Sequence, residues 1–358
     1  MINYSIIARF RLSHSIEHLT MTLLCAIAIA VPSSAAVAQA QTVRSLAQPV
    51  IAGQWLRPNH QHPAEPRWGF ADGLQVGIHP LGGPRGLLRV YAPYLGHPRN
   101  RVINFIAVEP IVAGHEVRGL SELERSHLDG AHGKRFWSAD SLEDNSPQQS
   151  DQPIRGVIET IDGVEQLAVY ILVERFESGA HVYLQLRFRA NRPHEVRIAT
   201  FRHADSAPLD YCIVTATMGN FARLRQLHLA EQIVTPGQLW PDYNGDHFTP
   251  HARFPLNQLR QTDADEVVVE ATTDEADPIA AEYHPATNRH WKYDGKKAVQ
   301  SWRASDPAEQ LEALVNGRYV YWASRAPIPG GISFENFELK EPFKQGREFI
   351  FAVDLESD

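Results

Sequence analysis

Sixteen residues, Trp240 to Pro255, read Trp-Pro-Asp-Tyr-Asn-Gly-Asp-His-Phe-Thr-Pro-His-Ala-Arg-Phe-Pro and hold an unusual density of reactive side chains. Two carboxylates (Asp242, Asp246), two imidazoles (His247, His251), the Tyr243 phenol, the Arg253 guanidinium and the rings of Trp240, Phe248 and Phe254 share this stretch. Imidazole and phenol groups act as general acid or base once neighbours tune their pKa. A guanidinium neutralises a carboxylate through paired hydrogen bonds. Together these types suit β-elimination on a uronic-acid polymer, in which a base removes the proton beside a carboxylate whose charge a cation absorbs. Tyr243, Asp246, His247, His251 and Arg253 are therefore candidate catalytic residues, with Trp240, Asp242, Asn244 and Phe248 as candidate substrate contacts.

Glu109 completes the catalytic set. It follows the apolar residues Phe105, Ile106 and Val108 and precedes Pro110, so its carboxyl is either desolvated and raised in pKa or paired with an arginine such as Arg118. Glycoside hydrolysis, the alternative chemistry, needs two carboxyl groups facing each other across the bond. Asp242 or Asp246 supplies one half of such a pair, and Glu109, Glu122 or Glu124 the other. The competing structural reading is a well-packed crossover at Trp240–Pro255 whose acids cap turns, and a solvated face for Glu122 and Glu124. Glu335 and Asn336, in a second acid and amide set, read as structural.

Common catalytic motifs are absent: no phosphate loop with its lysine, no Gly-x-Ser-x-Gly elbow and no Cys-x-x-Cys. His247 and His251 have the i, i+4 spacing of a zinc helix, but Gly245 and Pro250 break that helix and the glutamate between them is missing. The His60-x-His62 pair lies among prolines and reads as solvated. No metal site and no cofactor are assigned; the abundance of oxygen ligands would favour Ca²⁺ over zinc.

The elements that must position these groups follow from the rest of the chain. Residues 1–40 read as an export signal: Arg9 and Arg11, an apolar core from Met21 to Val31, and Ala38-Gln39-Ala40 as the cleavage pattern. Leu24 before Cys25 is too bulky for a lipid attachment site, so a free periplasmic or secreted protein is expected. No later stretch approaches membrane-spanning length. Removing two arginines and one acid with that segment leaves 32 basic and 41 acidic residues, a net charge of −9 against −8 for the whole chain. That acidic balance excludes nucleic acid as the expected partner. One cysteine, Cys212, remains, so stability must come from a core rather than from disulfides.

Residues 41–67 form a proline-rich lead-in. From residue 68 to 358 short apolar runs alternate with Gly, Pro and Asn, including Leu74–Ile78, Leu87–Tyr91, Val102–Pro110, Ile154–Ile161 and Glu165–Phe176. His181 to Arg189 alternates most clearly, with Val182, Leu184, Leu186 and Phe188 on one side. It turns at Asn191-Arg192-Pro193-His194 into Glu195–Arg202, a hairpin with one solvated or groove-facing side. Leu209–Met218, Val267–Ala271, His290–Tyr293, Ala298–Arg303, Arg318–Ala323 and Glu348–Leu355 continue the series, and Asp294-Gly295 reads as a tight turn. Phe221–Ala230 and Asp306–Val315 are the short-helix candidates. A dozen strands without a strand–helix rhythm predict an all-β fold, a large antiparallel β-sandwich in one domain, with a division near Ser146–Pro153 as the alternative.

The strand pattern with such a loop resembles, in architecture alone, large β-sandwich polysaccharide lyases and sugar-ring epimerase-like domains. No motif matches residue by residue, and no site is carried over. Export, acidity and seven tryptophans, several of them in polar surroundings and more than half expected to fill the core, agree with a carbohydrate-active protein whose partner is a polysaccharide or oligosaccharide. A non-catalytic glycan-binding or cell-surface protein is the reading from another class.

Overall fold

The computed structural model describes residues 50–356, apart from His60, Pro63, Ser141, residues 143–152, 218–222 and 263–264, and Ala323. The expected export signal, and with it Cys25, lies outside the described residues, as does the His60 half of the His-x-His pair.

Two antiparallel sheets face each other. The first runs β1 (Val50–Ala52), β2 (Trp55–Arg57), β3 (Arg67–Phe70), β4 (Gln75–Gly77), β5 (Leu87–Tyr91), β6 (Asn104–Val112), β12 (Leu209–Thr217), β20 (Ser333–Lys340), β19 (Glu312–Arg318), β15 (Ala252–Pro255). The second runs β14 (Ile233–Val234), β13 (Leu224–His228), β17 (Glu266–Thr273), β18 (Ala298–Ser305), β21 (Arg347–Leu355), β11 (Arg192–Arg202), β10 (Val182–Arg189), β9 (Val164–Val173), β7 (Phe136–Ala139). On its flanks β8 (Val157–Ile161) pairs with β9 and β16 (Arg260–Gln261) with β17. A four-residue helix, α1 (Pro236–Leu239), is the only α-helix among the described residues. No helix there is long and apolar enough to cross a membrane.

Alternation explains which side of each strand meets the core. In β10, Val182, Leu184, Leu186 and Phe188 are fully buried between the sheets, and β11 pairs with it from Val182↔Arg202 to Arg189↔Arg192 as the expected hairpin. β9 is apolar on both sides because it is covered twice. Leu167, Val169, Ile171 and Val173 enter the main core, while Leu172 joins Trp137, Ala139 and Tyr183 in a small cluster on the outer side. Cys212 sits in the core on β12, where burial pushes its thiol up to about 12. Strands before and after Ser146–Pro153 share both sheets: β6 pairs with β12, and β7 with β9. The expected lead-in also supplies β1 and β2, with Trp55 and Leu56 buried.

Several local expectations are corrected. Residues 224–228 form strand β13 rather than a helix, because Leu224 and Leu227 reach the core by pairing with β17. Asp306–Val315 is a turn, with Leu311 N–H donating to Ala308, followed by β19 rather than a helix. His290–Tyr293 falls in a 3-10 turn, and of Arg318–Ala323 only Arg318 lies in a strand. Asp294-Gly295 makes no hairpin. Asp294 instead binds His97 at 2.7 Å and Arg101 at 3.0 Å, and a Cβ on Gly295 would lie 2.4 Å from the His97 ring. In each case a tertiary partner outweighed the local preference.

Trp302 joins the layers. Its ring is fully buried on β18 of the second sheet, and its indole N–H donates to the Phe337 carbonyl on β20 of the first at 2.7 Å. Trp302→Phe keeps most of the ring and strands that carbonyl, so it should cost about 1–3 kcal/mol. Trp302→Ala should cost about 3–5 kcal/mol. Urea denaturation followed by fluorescence checks both, and an unchanged midpoint for Trp302→Phe would show that the bond contributes nothing.

Candidate functional site

The Trp240–Pro255 stretch is built in two halves. Its first half hangs from α1, whose Thr235 and Gln238 close a reciprocal capping box and whose end is marked by Trp240 N–H donating to the Pro236 carbonyl at 2.8 Å. Trp240 packs edge-on against Phe334, with ring centroids 6.2 Å apart. The chain then turns on itself: Tyr243 N–H donates to the Trp240 carbonyl at 3.1 Å, and the Tyr243 hydroxyl to the His247 carbonyl. Asp242 and Asn244 are exposed. Asp246 lies 3.3 Å from His247 Nε2 and 3.4 Å from Arg325 Nη1, and its carbonyl accepts from Arg318 at 2.9 Å. His247 is 89 % exposed in its side chain.

The second half becomes regular. Thr249 N–H donates to the Gly317 carbonyl at 3.0 Å and Gly317 N–H to Thr249 Oγ1 at 2.9 Å, which zips the chain onto β19. β15 follows as the last strand of the sheet, pairing Arg253 with Leu314 and Phe254 with Ala313. Its closing Pro255 is tolerated because an edge strand needs no donor on its open side. Phe254 enters the core, so Arg253 and His251 point the other way, over the outer face of the first sheet.

The same alternation brings Glu109 to that face. Val108 on β6 and Phe337 and Leu339 on β20 are core residues, so Glu109 and Glu338 both project outward from strands that flank β12. Arg118 Nη1 lies 2.6 Å from Glu109 Oε2 and 2.7 Å from Glu338 Oε1, so those two oxygens are no farther apart than the sum, 5.3 Å. The segment carrying Arg118 is laid over the sheet by backbone bonds: Gly119 N–H to Pro110 O at 2.8 Å, and Lys134 N–H to Ser121 O at 2.7 Å. Ser121 Oγ donates to the Gly86 carbonyl at 2.6 Å. Gly86 has a φ of +71°, and a Cβ there would stand 1.9 Å from Ser121 O, so only glycine admits this close approach.

Burial dominates the electrostatics of this cluster. It pushes both Glu109 and Glu338 up, and Glu338 further through the charge of Glu109, while Arg118 pulls each back. Glu122 is pushed up to about 7 by burial and then by Glu109. His251 is held down to about 4 by burial, then by the charges of Arg118 and Arg253. The amide nitrogen of Asn316 lies 3.4 Å from His251 Nε2, and Asn316 Oδ1 accepts from Asn336 N–H at 3.0 Å. Arg253 is exposed and reaches Glu312 at 3.2 Å.

The structure therefore brings His251, Arg253 and Glu109 onto one face around Arg118. It holds Tyr243, Asp246 and His247 together in the loop, tied mainly to each other and to Arg318 and Arg325. Glu124 is bound to Lys134 at 3.2 Å and to Glu177 N–H at 2.9 Å. None of the ten candidate residues lines either of two surface clefts, one of about 190 Å³ beside Lys344–Ile350 and one of about 480 Å³ between Leu229–Gln232 and Asn257–Gln258. Among the described residues no three of His, Cys, Asp or Glu converge as a metal-binding group. The second sheet's outer face is occupied by its own ion pairs, with Glu348 bridging Arg187 and Arg197, and Arg303 reaching Glu195 and, at 3.2 Å, Glu266.

The pairing of Glu109 with Arg118 is legible in the sequence, whereas Glu338 and Asn316 join them only in the fold. The signal for Glu338 was present: like Glu109, it is an acid between apolar residues, Phe337 and Leu339, of a strand. Comparison with protein-family models, curated proteins and solved structures finds no match to this chain.

Glu122 binds its proton more tightly in the folded state (about 7) than in the unfolded chain, so its contribution to stability is full below the unfolded carboxylate pKa and is lost as pH rises towards 7. Glu122→Gln should flatten that decline and gain up to about 3 kcal/mol over the parent at pH 8. Denaturant midpoints from pH 4 to 8 test this, and parallel curves for the two proteins would refute it.

Proposed function

We propose that the protein is an exported carbohydrate-active enzyme that cleaves an acidic glycan by β-elimination, with His251 as the base and Arg253 as the group that meets the uronate. The observation that carries this reading is His251 itself: a half-buried imidazole, neutral at pH 7, flanked by two guanidinium groups on an otherwise occupied sheet face. A neutral imidazole has a lone pair ready to take a proton. Arg253, 63 % exposed in its side chain, offers its charge to solvent and so to a substrate carboxylate. Binding that carboxylate cancels part of the field that holds His251 down, which raises the proton affinity of the imidazole when substrate is in place. The Asn316 contact at 3.4 Å sits at the limit of a hydrogen bond, and an incoming C–H can replace it.

Hydrolysis is the second reading, favoured by one observation: the bonded oxygens of Glu109 and Glu338 are at most 5.3 Å apart, the sum of the 2.6 and 2.7 Å contacts to Arg118. A retaining pair has its carboxyl groups about 5–5.5 Å apart. Those side chains are 6 % and 0 % exposed, however, and Arg118 fills the space between them, so a glycosidic bond enters only if the arginine leaves.

Incubation with alginate, polygalacturonate and hyaluronate, followed at the absorbance of an unsaturated uronate, separates the two. Elimination produces that chromophore; hydrolysis produces reducing ends without it. His251→Ala should lower kcat about 10²–10⁴-fold. The acid limb of kcat/KM should fall near pH 4, where His251 of the free protein takes up a proton. Arg253→Gln removes a neighbouring charge and should move that limb to higher pH. Unsaturated product from none of the polymers, or a limb that Arg253→Gln leaves in place, would sink the elimination reading.

A further inference from the structure

We infer that Trp322, Phe248 and Arg318 form a binding subsite for an anionic sugar unit, next along the chain from the one held at His251. The inference rests on the elimination reading for its location and on its own observations for its chemistry. Of the seven tryptophans, Trp55, Trp68, Trp137, Trp291 and Trp302 are buried and Trp240 is half-buried, whereas Trp322 is 47 % exposed. Phe248 is 41 % exposed, and the two rings stack with centroids 6.2 Å apart and planes 30° from parallel.

Water gains nothing from two aromatic faces, and burying them would be favourable. They are instead held at the surface by a cation. The Arg318 guanidinium lies 4.8 Å from the Phe248 centroid and 5.0 Å from that of Trp322, so each ring gains a cation–π contact and loses freedom. Fixed rings with open faces are a preordered platform, which lowers the entropy lost when a flat apolar sugar face settles on them.

The charge of Arg318 selects the sugar. Arg318 is 5 % exposed, its Nη2 donates to the Asp246 carbonyl at 2.9 Å, and its Nε is buried without a hydrogen-bond partner. Among the described residues it makes no ion pair, so its charge is unbalanced at the platform. Arg325, 76 % exposed in its side chain, and His247, 89 % exposed, stand over the single carboxylate of Asp246 at 3.4 and 3.3 Å. Two guanidinium groups and an imidazole around one acid attract a carboxylate.

Placement follows from β19. Asn316, which contacts His251, and Arg318 are alternate residues of one strand and project from the same face, about 6.6 Å apart along it. That is the scale of one pyranose ring. A glycan whose uronate sits at Arg253 and His251 would thus lay an adjoining unit against Trp322.

Affinity electrophoresis of the full chain in gels containing alginate, polygalacturonate or hyaluronate, with dextran as the neutral control, tests the subsite without requiring turnover. Retardation is expected in at least one acidic gel and absent in dextran. Trp322→Ala, and separately Phe248→Ala, should weaken it at least tenfold with unchanged circular dichroism. Retardation in none of the acidic gels, equal retardation of both ring variants and the parent, or stronger retention by single-stranded DNA would each overturn the inference. Ring-dependent retardation with no unsaturated product would leave the subsite standing and remove the elimination reading instead.

Discussion

Glu109 and Glu338 stand on strands separated by β12, about 9–10 Å between backbones, and a single guanidinium nitrogen of Arg118 reaches both. Two carboxyl groups out of water on one cation leave the cluster short of positive charge, so it holds protons that exposed glutamates would release. Such a group is costly to break, because removing one partner leaves an uncompensated charge behind. Its persistence depends on the overlaying segment from Arg118 to Lys134, and that segment depends in turn on the glycine contact at Gly86. The cluster therefore fixes which part of the first sheet's outer face is sealed and which is left accessible.

What it leaves accessible is the edge at β15 and the end of β19. Burial, and after it the charge of Arg118, the same residue that binds the carboxylates, lowers the proton affinity of His251, so the sealed and the open parts are electrostatically linked. Beyond it the sheet edge frays into two loops that meet through Arg318, which touches the Asp246 carbonyl and the Phe248 and Trp322 rings. On the outer face of the second sheet, Glu348 is paired with Arg187 and Arg197, and Arg303 with Glu195 and Glu266.

The all-β class, the antiparallel hairpin at β10–β11 and the core faces of β9 and β10 were legible because side-chain alternation is local and each strand carries its own record of it. Glu109 was legible for the same reason, as an acid out of place beside apolar neighbours. The short elements were not. Leu224 and Leu227 fit a helix or a strand equally, and only pairing with β17 makes them strand residues. Asp294-Gly295 has the composition of a hairpin turn, yet its aspartate is drawn to His97 and Arg101 far away in sequence.

By itself, then, the order of residues determined the strand-rich architecture and a stretch crowded with acids, imidazoles and rings. Tertiary structure alone decided how that stretch divides: Tyr243, Asp246 and His247 satisfy one another on a turn, while His251 and Arg253 join a face already holding Glu109, Arg118 and Glu338. The physical reason is distance along the chain. Alternation assigns a residue to a side of its own strand, but which strands become neighbours is set by burial of the whole core, and only that neighbourhood puts Arg118 between two glutamates 229 positions apart.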